Sequence, residues 1–213
     1  DVNEMNESLS NVVEELGAYN RYKTLFSKTH RDGQITGQRI LLALTQFVVM
    51  FNSHNSKYDK FIRNESGGSF TDQEKNGLEI FRQHCAHCHK EPLFTNNKFE
   101  NNGLKVDSTL NDYGRFLITR NPKDSLKFKV PSLRNIQFTK PYMHDGRFET
   151  LQEVINHYTS EIEPSKTLSK SLKNKINLTH KEKVDLLVFL RTLSDNEFLF
   201  DKRFSFPFKH QIN

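Results

Sequence analysis

Cys85-Ala86-His87-Cys88-His89 sets two thiols three positions apart, with an imidazole directly after the second. Thiols at that spacing can each add to one vinyl group of a single porphyrin. The adjacent histidine then lies beneath the iron and becomes its ligand. Cys85 and Cys88 are the only cysteines, so no thiol remains for a disulfide, an iron–sulfur cluster or a Cys-rich zinc site. Two other chemistries use a C-x-x-C pair. A redox dithiol normally follows a buried strand in a βαβ unit, whereas Gly77 to Arg82 reads as helix. A zinc site needs further ligands. His84, His87 and His89 are near, but no second pair stands at zinc-ribbon spacing. The pentad therefore predicts one covalently bound haem c.

The sixth position of such an iron decides its chemistry. A Met gives a high-potential electron-transfer site, His or Tyr lowers the potential, and an open position admits peroxide or oxygen. Met143, His157 and Tyr158 are the candidates, and on chemistry alone Met143 is the default.

These side chains need elements to carry them. Thr71-Asp72-Gln73-Glu74 is a capping box opening a helix that ends in the pentad. Thr150-Leu151-Gln152-Glu153 opens a second helix with Leu151, Val154, Ile155 and Tyr158 on one face, which leaves His157 facing solvent. Thr179-His180-Lys181-Glu182 opens a third, apolar through Leu186, Leu187, Phe189 and Leu190. Upstream, Leu9 to Phe26 and Ile35 to Phe51 have helical spacing, the first with a break at Gly17. Glu65-Ser66-Gly67-Gly68-Ser69 reads as a linker dividing residues 1–64 from 65–213. Between His89 and Thr150 the chain is irregular, and a loop of that length in a compact domain is expected to wrap something. The class is all-α: a c-type cytochrome domain with long haem-wrapping loops.

Composition sets limits. The 213 residues are 35% hydrophobic, with 18 Phe and no Trp, a thin core that a buried porphyrin face would supplement. The formal charge is +5, but the basic residues are scattered and the haem carboxylates would offset them, so no nucleic-acid groove is expected. No stretch has the length of a transmembrane helix. Covalent haem attachment normally takes place outside the cytoplasm, so a periplasmic location and a processed or trimmed chain are expected.

Three segments together resemble a known family. They are Lys129-Val130-Pro131-Ser132-Leu133-Arg134-Asn135-Ile136, Thr139-Lys140-Pro141-Tyr142-Met143-His144-Asp145-Gly146-Arg147-Phe148, and Cys85 to His89 with Pro92-Leu93-Phe94. They look like the second haem domain of the bacterial dihaem cytochrome c peroxidases, a family that includes the enzyme maturing methylamine dehydrogenase. Asn55-Ser56-Lys57-Tyr58-Asp59 fits as well. The resemblance implies that residues 1–64 link to or complete an N-terminal haem domain with its own C-x-x-C-H, which this sequence lacks. It implies a peroxidase-like oxidoreductase that reduces hydrogen peroxide or uses it to oxidise a partner, with a second haem in the full protein. In the Met-bearing peroxidases the ligand opposite the proximal histidine stands fourteen residues after the motif histidine; from His144 that position is Tyr158. The maturation enzyme also has Tyr there, so the resemblance implies His89/Tyr158 ligation, with Met143 the alternative. It further implies an acid–base Glu4, a cation at Lys129 and Arg134 for a haem propionate, and a calcium ion on the carbonyls of Thr139 and Pro141. Partners would be peroxide and a small periplasmic electron-donor protein or a protein substrate, with a homodimer left open. A stand-alone monohaem carrier is the rival reading.

Overall fold

The structure is a computed structural model and describes residues 6–205. It is built of helices joined by long irregular segments, and the chain falls into two compact units, residues 1–52 and 53–213.

In the first unit, Ser8 caps α1 (Leu9–Ala18) by accepting the Asn11 amide at 3.1 Å. The break expected at Gly17 comes at Tyr19, whose extended backbone separates α1 from α2 (Asn20–Thr29). The Asp32-Gly33 turn and a Thr36 cap lead into α3 (Gly37–Val49). Much of the apolar surface of α3 is open: Leu44 is 55% and Val49 73% exposed.

The second unit begins earlier than the Glu65–Ser69 linker suggested. Residues 53–64 bond into it: the Tyr58 amide donates to Thr192 O, and the His54 and Asn55 amides donate to buried Asp195. A capping box of Ser56 and Asp59 opens α4 (Lys57–Ile62). The three predicted boxes are all formed, by Thr71/Glu74 on α5 (Asp72–His84), Thr150/Glu153 on α7 (Leu151–Asn156) and Thr179/Glu182 on α8 (His180–Arg191). The irregular stretch holds β1 (Phe99–Glu100), α6 (Phe116–Thr119) and β2 (Phe128–Lys129), with Phe99 opposite Lys129 in an antiparallel pair. A short α9 (Asn196–Leu199) follows α8.

Helices α5 and α8 form the spine. They meet at Gly77, where a Cβ would lie 2.1 Å from the Asp185 carbonyl oxygen; only glycine lets the backbones approach so closely. Around them Phe81, Phe94, Phe189 and Leu193 are fully buried. Their rings meet at aromatic-pair distances, with centroids 5.1 Å apart for Phe81 and Phe189 and 4.8 Å for Tyr58 and Phe94. This aromatic core anchors the end of α5, and with it the pentad.

Candidate haem-binding site

Helix α5 ends at Cys85, whose amide donates to Phe81 O at 2.7 Å. The chain then turns tightly, with the Cys88 and His89 amides both donating to Cys85 O. Cys85, Cys88 and His89 are all half-buried. Burial, and then the neighbouring Cys88, push the Cys85 thiol up to about 12. That is the reverse of a reactive dithiol, whose nucleophile is held below the ordinary thiol range.

His89 is oriented from behind. Its Nδ1 lies 3.1 Å from both Phe94 O and Pro131 O. Two carbonyls can only accept, so Nδ1 carries the proton and Nε2 keeps its lone pair for a metal. Burial lowers the imidazole's affinity for a second proton, which preserves that lone pair. The carbonyls are themselves held. Phe94 has a positive φ of 54°, and Ser132 Oγ donates to Leu93 O at 2.6 Å. Thr95 Oγ1 donates to Val130 O, also at 2.6 Å.

Arg134 stands behind the same loop. Its guanidinium meets both Asp59 oxygens, at 2.8 and 2.9 Å, and Pro92 O at 2.8 Å. This largely buried ion pair braces the proximal loop. Lys129 lies exposed on β2.

Tyr158 is on a π-helical turn, His157–Glu161, that continues α7. Burial raises its phenol to about 12, the nearby Asn102 side chain works against that, and the neighbouring Cys85 and Cys88 add to the rise. The thiols and the phenol thus share one neighbourhood. The phenol packs against Leu168, Leu172 and Ile176, while the Ser169 and Ser171 hydroxyls, 3.1 Å apart, work against the burial that raises the Cys88 thiol. Met143, with φ 74°, is nearby, its Sδ 3.5 Å from Asn102 Nδ2.

His157 is not solvated, as the helical period had suggested, but 1% exposed, with Nε2 3.1 Å from Asn102 O. His157 closes α7 with α-helical backbone, its amide bonded to Glu153 O, so the helical face is the expected one and the loop at Asn102 covers it. Asn102 and the carbonyls of Phe94 and Pro131 escaped the sequence reading; the turn signal Asn101-Asn102-Gly103 was the one available clue.

Thr139 and Pro141 lie on an exposed turn. Among the described residues no group of three or more His, Cys, Asp or Glu side chains converges to hold a metal ion. Glu4 lies outside the described residues. No described helix is long and apolar enough to cross a membrane.

Two thiols at attachment spacing, an imidazole with its outer nitrogen available and a phenol among apolar side chains are donors that fit a c-type haem.

Comparison with known proteins agrees. A family model described as di-haem cytochrome c peroxidase matches residues 1–67. A methylamine utilization protein MauG from Methylophilus methylotrophus is 32% identical over 196 residues, spanning 89% of this chain and 57% of that one. The cytochrome-c peroxidase IdrP2 of Denitromonas iodatirespirans is 29% identical, with 89% and 56% covered. The crystal structure of a MauG-like protein associated with microbial copper homeostasis superposes with a TM-score of 0.78 at 31% identity, covering 93% of this chain and 65% of that one. The chain thus spans about half the length of the curated relatives it matches.

Proposed function

This chain belongs to the di-haem cytochrome c peroxidase family, and from that premise we propose that it forms the C-terminal, electron-transfer haem domain of a peroxidase-like oxidoreductase. The observation that carries the reading is the pentad at the end of α5 with the His89 Nδ1 proton committed to two carbonyls. Cys85 and Cys88 would hold the haem covalently, His89 would ligate through Nε2, and Tyr158 would ligate from the other side. When bound, the haem supplies a one-electron iron couple whose potential follows its axial donors. A phenol oxygen, once deprotonated, is an anionic donor that favours the higher oxidation states, so Tyr158 shifts the domain from plain relay toward sharing oxidising equivalents.

The chain's residues do the positioning. Phe94 O and Pro131 O fix the imidazole plane. The Asp59–Arg134 pair holds the loop that carries them, and the apolar side chains about Tyr158 exclude water. Lys129 and Arg134 would be the cations offered to a haem propionate. Thr139 and Pro141 would offer hard carbonyl oxygens to calcium, completed by groups elsewhere in the full protein. Glu4 would serve the peroxide-reacting haem of the N-terminal domain. The substrates would be hydrogen peroxide and a small periplasmic electron donor or an oxidised protein partner.

A single pentad in the sequence also fits a stand-alone monohaem carrier. Covalent haem counted by mass on the whole gene product separates the two. Two haems with peroxide consumption support the enzyme; one haem without it supports the carrier.

A further inference from the structure

Residues 164–181 hold five lysines, at positions 166, 170, 173, 175 and 181, and no acidic residue. All five are exposed. Among the described residues the lysines in ion pairs are Lys57, Lys60, Lys75, Lys127 and Lys140, all outside this segment. Elsewhere in the same unit basic charge is offset at close range, as where Arg115 and Lys127 both meet Asp124. The acid that follows the segment, Glu182, is committed to the Thr179 cap.

The segment is not a loose run of charge. Asn101, 1% exposed, donates to Ser165 Oγ and Thr167 Oγ1 at 3.0 and 2.9 Å, and its carbonyl accepts the Ser169 amide at 3.0 Å. The Glu163 amide donates to Gly103 O at 2.8 Å. A single 3-10 turn follows, Lys170–Leu172, closed by the Lys173 amide on Lys170 O. Such a turn sets i and i+3 on one face, so Lys170 and Lys173 stand together. Leu168, Leu172 and Ile176 are buried and pack against Tyr158. The segment is therefore a fixed wall, apolar toward the phenol and cationic toward solvent.

We propose that this wall is the docking face for the domain's redox partner, and that the partner presents an acidic face to it. The inference rests on the reading of the domain as a haem c site with Tyr158 beside the iron. A partner seated on the lysines is separated from the phenol by one layer of leucine and isoleucine, and electron transfer falls steeply with distance. Whether donor or protein substrate, the partner loses one electron and the ferric iron gains it. Lysines without an internal counter-ion steer an acidic protein from a distance and fix its orientation. The described large apolar side chains that stand exposed all lie outside the segment, so none is offered to a bilayer, which favours a protein over an anionic membrane.

The test uses the whole haem-loaded gene product and, as probe, flavodoxin, a small acidic one-electron carrier. Calorimetry reads the binding of oxidised flavodoxin, and absorption reads the rate at which its hydroquinone reduces the ferric haem. Lys166→Glu/Lys170→Glu/Lys173→Glu/Lys175→Glu should lower the bimolecular rate about tenfold or more at low salt, with the difference gone near about 1 M salt. Gln at the same four positions should fall between that variant and the parent. Lys23→Glu/Lys28→Glu/Lys123→Glu/Lys202→Glu removes equal charge from other exposed positions and should keep most of the parent rate. If both Glu sets slow the reaction equally, net charge alone is acting and the proposal is overturned. It is overturned too if the first set loses only pelleting with phosphatidylglycerol vesicles and reacts with flavodoxin as the parent does. Haem reduced at a rate blind to these lysines sinks the proposal and leaves the haem reading standing. Flavodoxin that binds through the lysines yet reduces no haem sinks the haem reading, and the redox role of the face with it.

Discussion

Replacing Asp59 with Ala isolates the brace behind the proximal histidine. The Asp59 carboxylate accepts two bonds from Arg134, at 2.8 and 2.9 Å, and two from Ser56, at 2.7 and 2.9 Å. Its side chain is 8% exposed and that of Arg134 15%. Removing one partner of a buried pair leaves the other charge uncompensated, at a cost of about 3–5 kcal/mol. Arg134 keeps its bond to Pro92 O and some solvent, so the lower end, about 3 kcal/mol, is expected. For a chain of this size that lowers Tm by about 6–12 °C. The double variant Asp59→Ala/Arg134→Met, with no stranded charge, should recover part of the loss.

The dependence on pH has a definite sign. Burial opposes the Asp59 charge, but the bonds from Arg134 and Ser56 outweigh it and hold the carboxyl below its usual range. A depressed carboxyl stabilises the fold fully above its unfolded value of about 3.9 and loses that contribution as pH falls through the folded value. The Tm gap between parent and Asp59→Ala should therefore be constant above about pH 5 and close below about pH 4. Thermal unfolding of the haem-loaded protein, followed by far-UV circular dichroism across that range, makes the check. An Asp59→Ala Tm within about 2 °C of the parent at neutral pH, or a gap that widens in acid, refutes the reasoning.

Further outcomes follow from the core and the caps. Gly77→Ala drives a Cβ to 2.1 Å from Asp185 O and must part α5 from α8, so urea unfolding should show a loss of about 3 kcal/mol; an unchanged midpoint contradicts the close approach. Phe94→Ala removes a fully buried ring that contacts Tyr58, Phe81 and Phe189 and should cost about 3–5 kcal/mol. Because Phe94 O orients His89, the same variant should broaden the ferric resonance spectrum, and a sharp parental spectrum would count against that tether. Thr179→Ala loses the cap of α8 and should cost about 1 kcal/mol by the same urea titration, with no spectral change.

What the sequence revealed is what is local. The capping boxes at Thr71, Thr150 and Thr179 each use residues three apart, and all three helices begin where those residues place them. The pentad is likewise a five-residue signal. The irregular stretch between the pentad and Thr150 was anticipated because it lacks any sustained period, although its two short strands are too brief to show alternation. Long-range partners were not legible. Nothing near Arg134 announces Asp59, seventy-five positions away, and nothing near His157 announces the Asn102 carbonyl. His157 was misplaced because the polar face of α7 is covered by a loop fifty-five positions away in sequence, which no helical period can announce. The boundary at residue 64 failed because the glycines at 67 and 68 mark a turn inside a unit that already begins at Ser53.

The central claim is that this chain carries one haem on Cys85 and Cys88. It is tested most directly by the intact mass of the protein produced in cells that mature c-type cytochromes. The account predicts the chain mass plus a single haem, retained under denaturing conditions and lost in the Cys85→Ala/Cys88→Ala variant. A chain of unmodified mass with both thiols open to alkylation would contradict it.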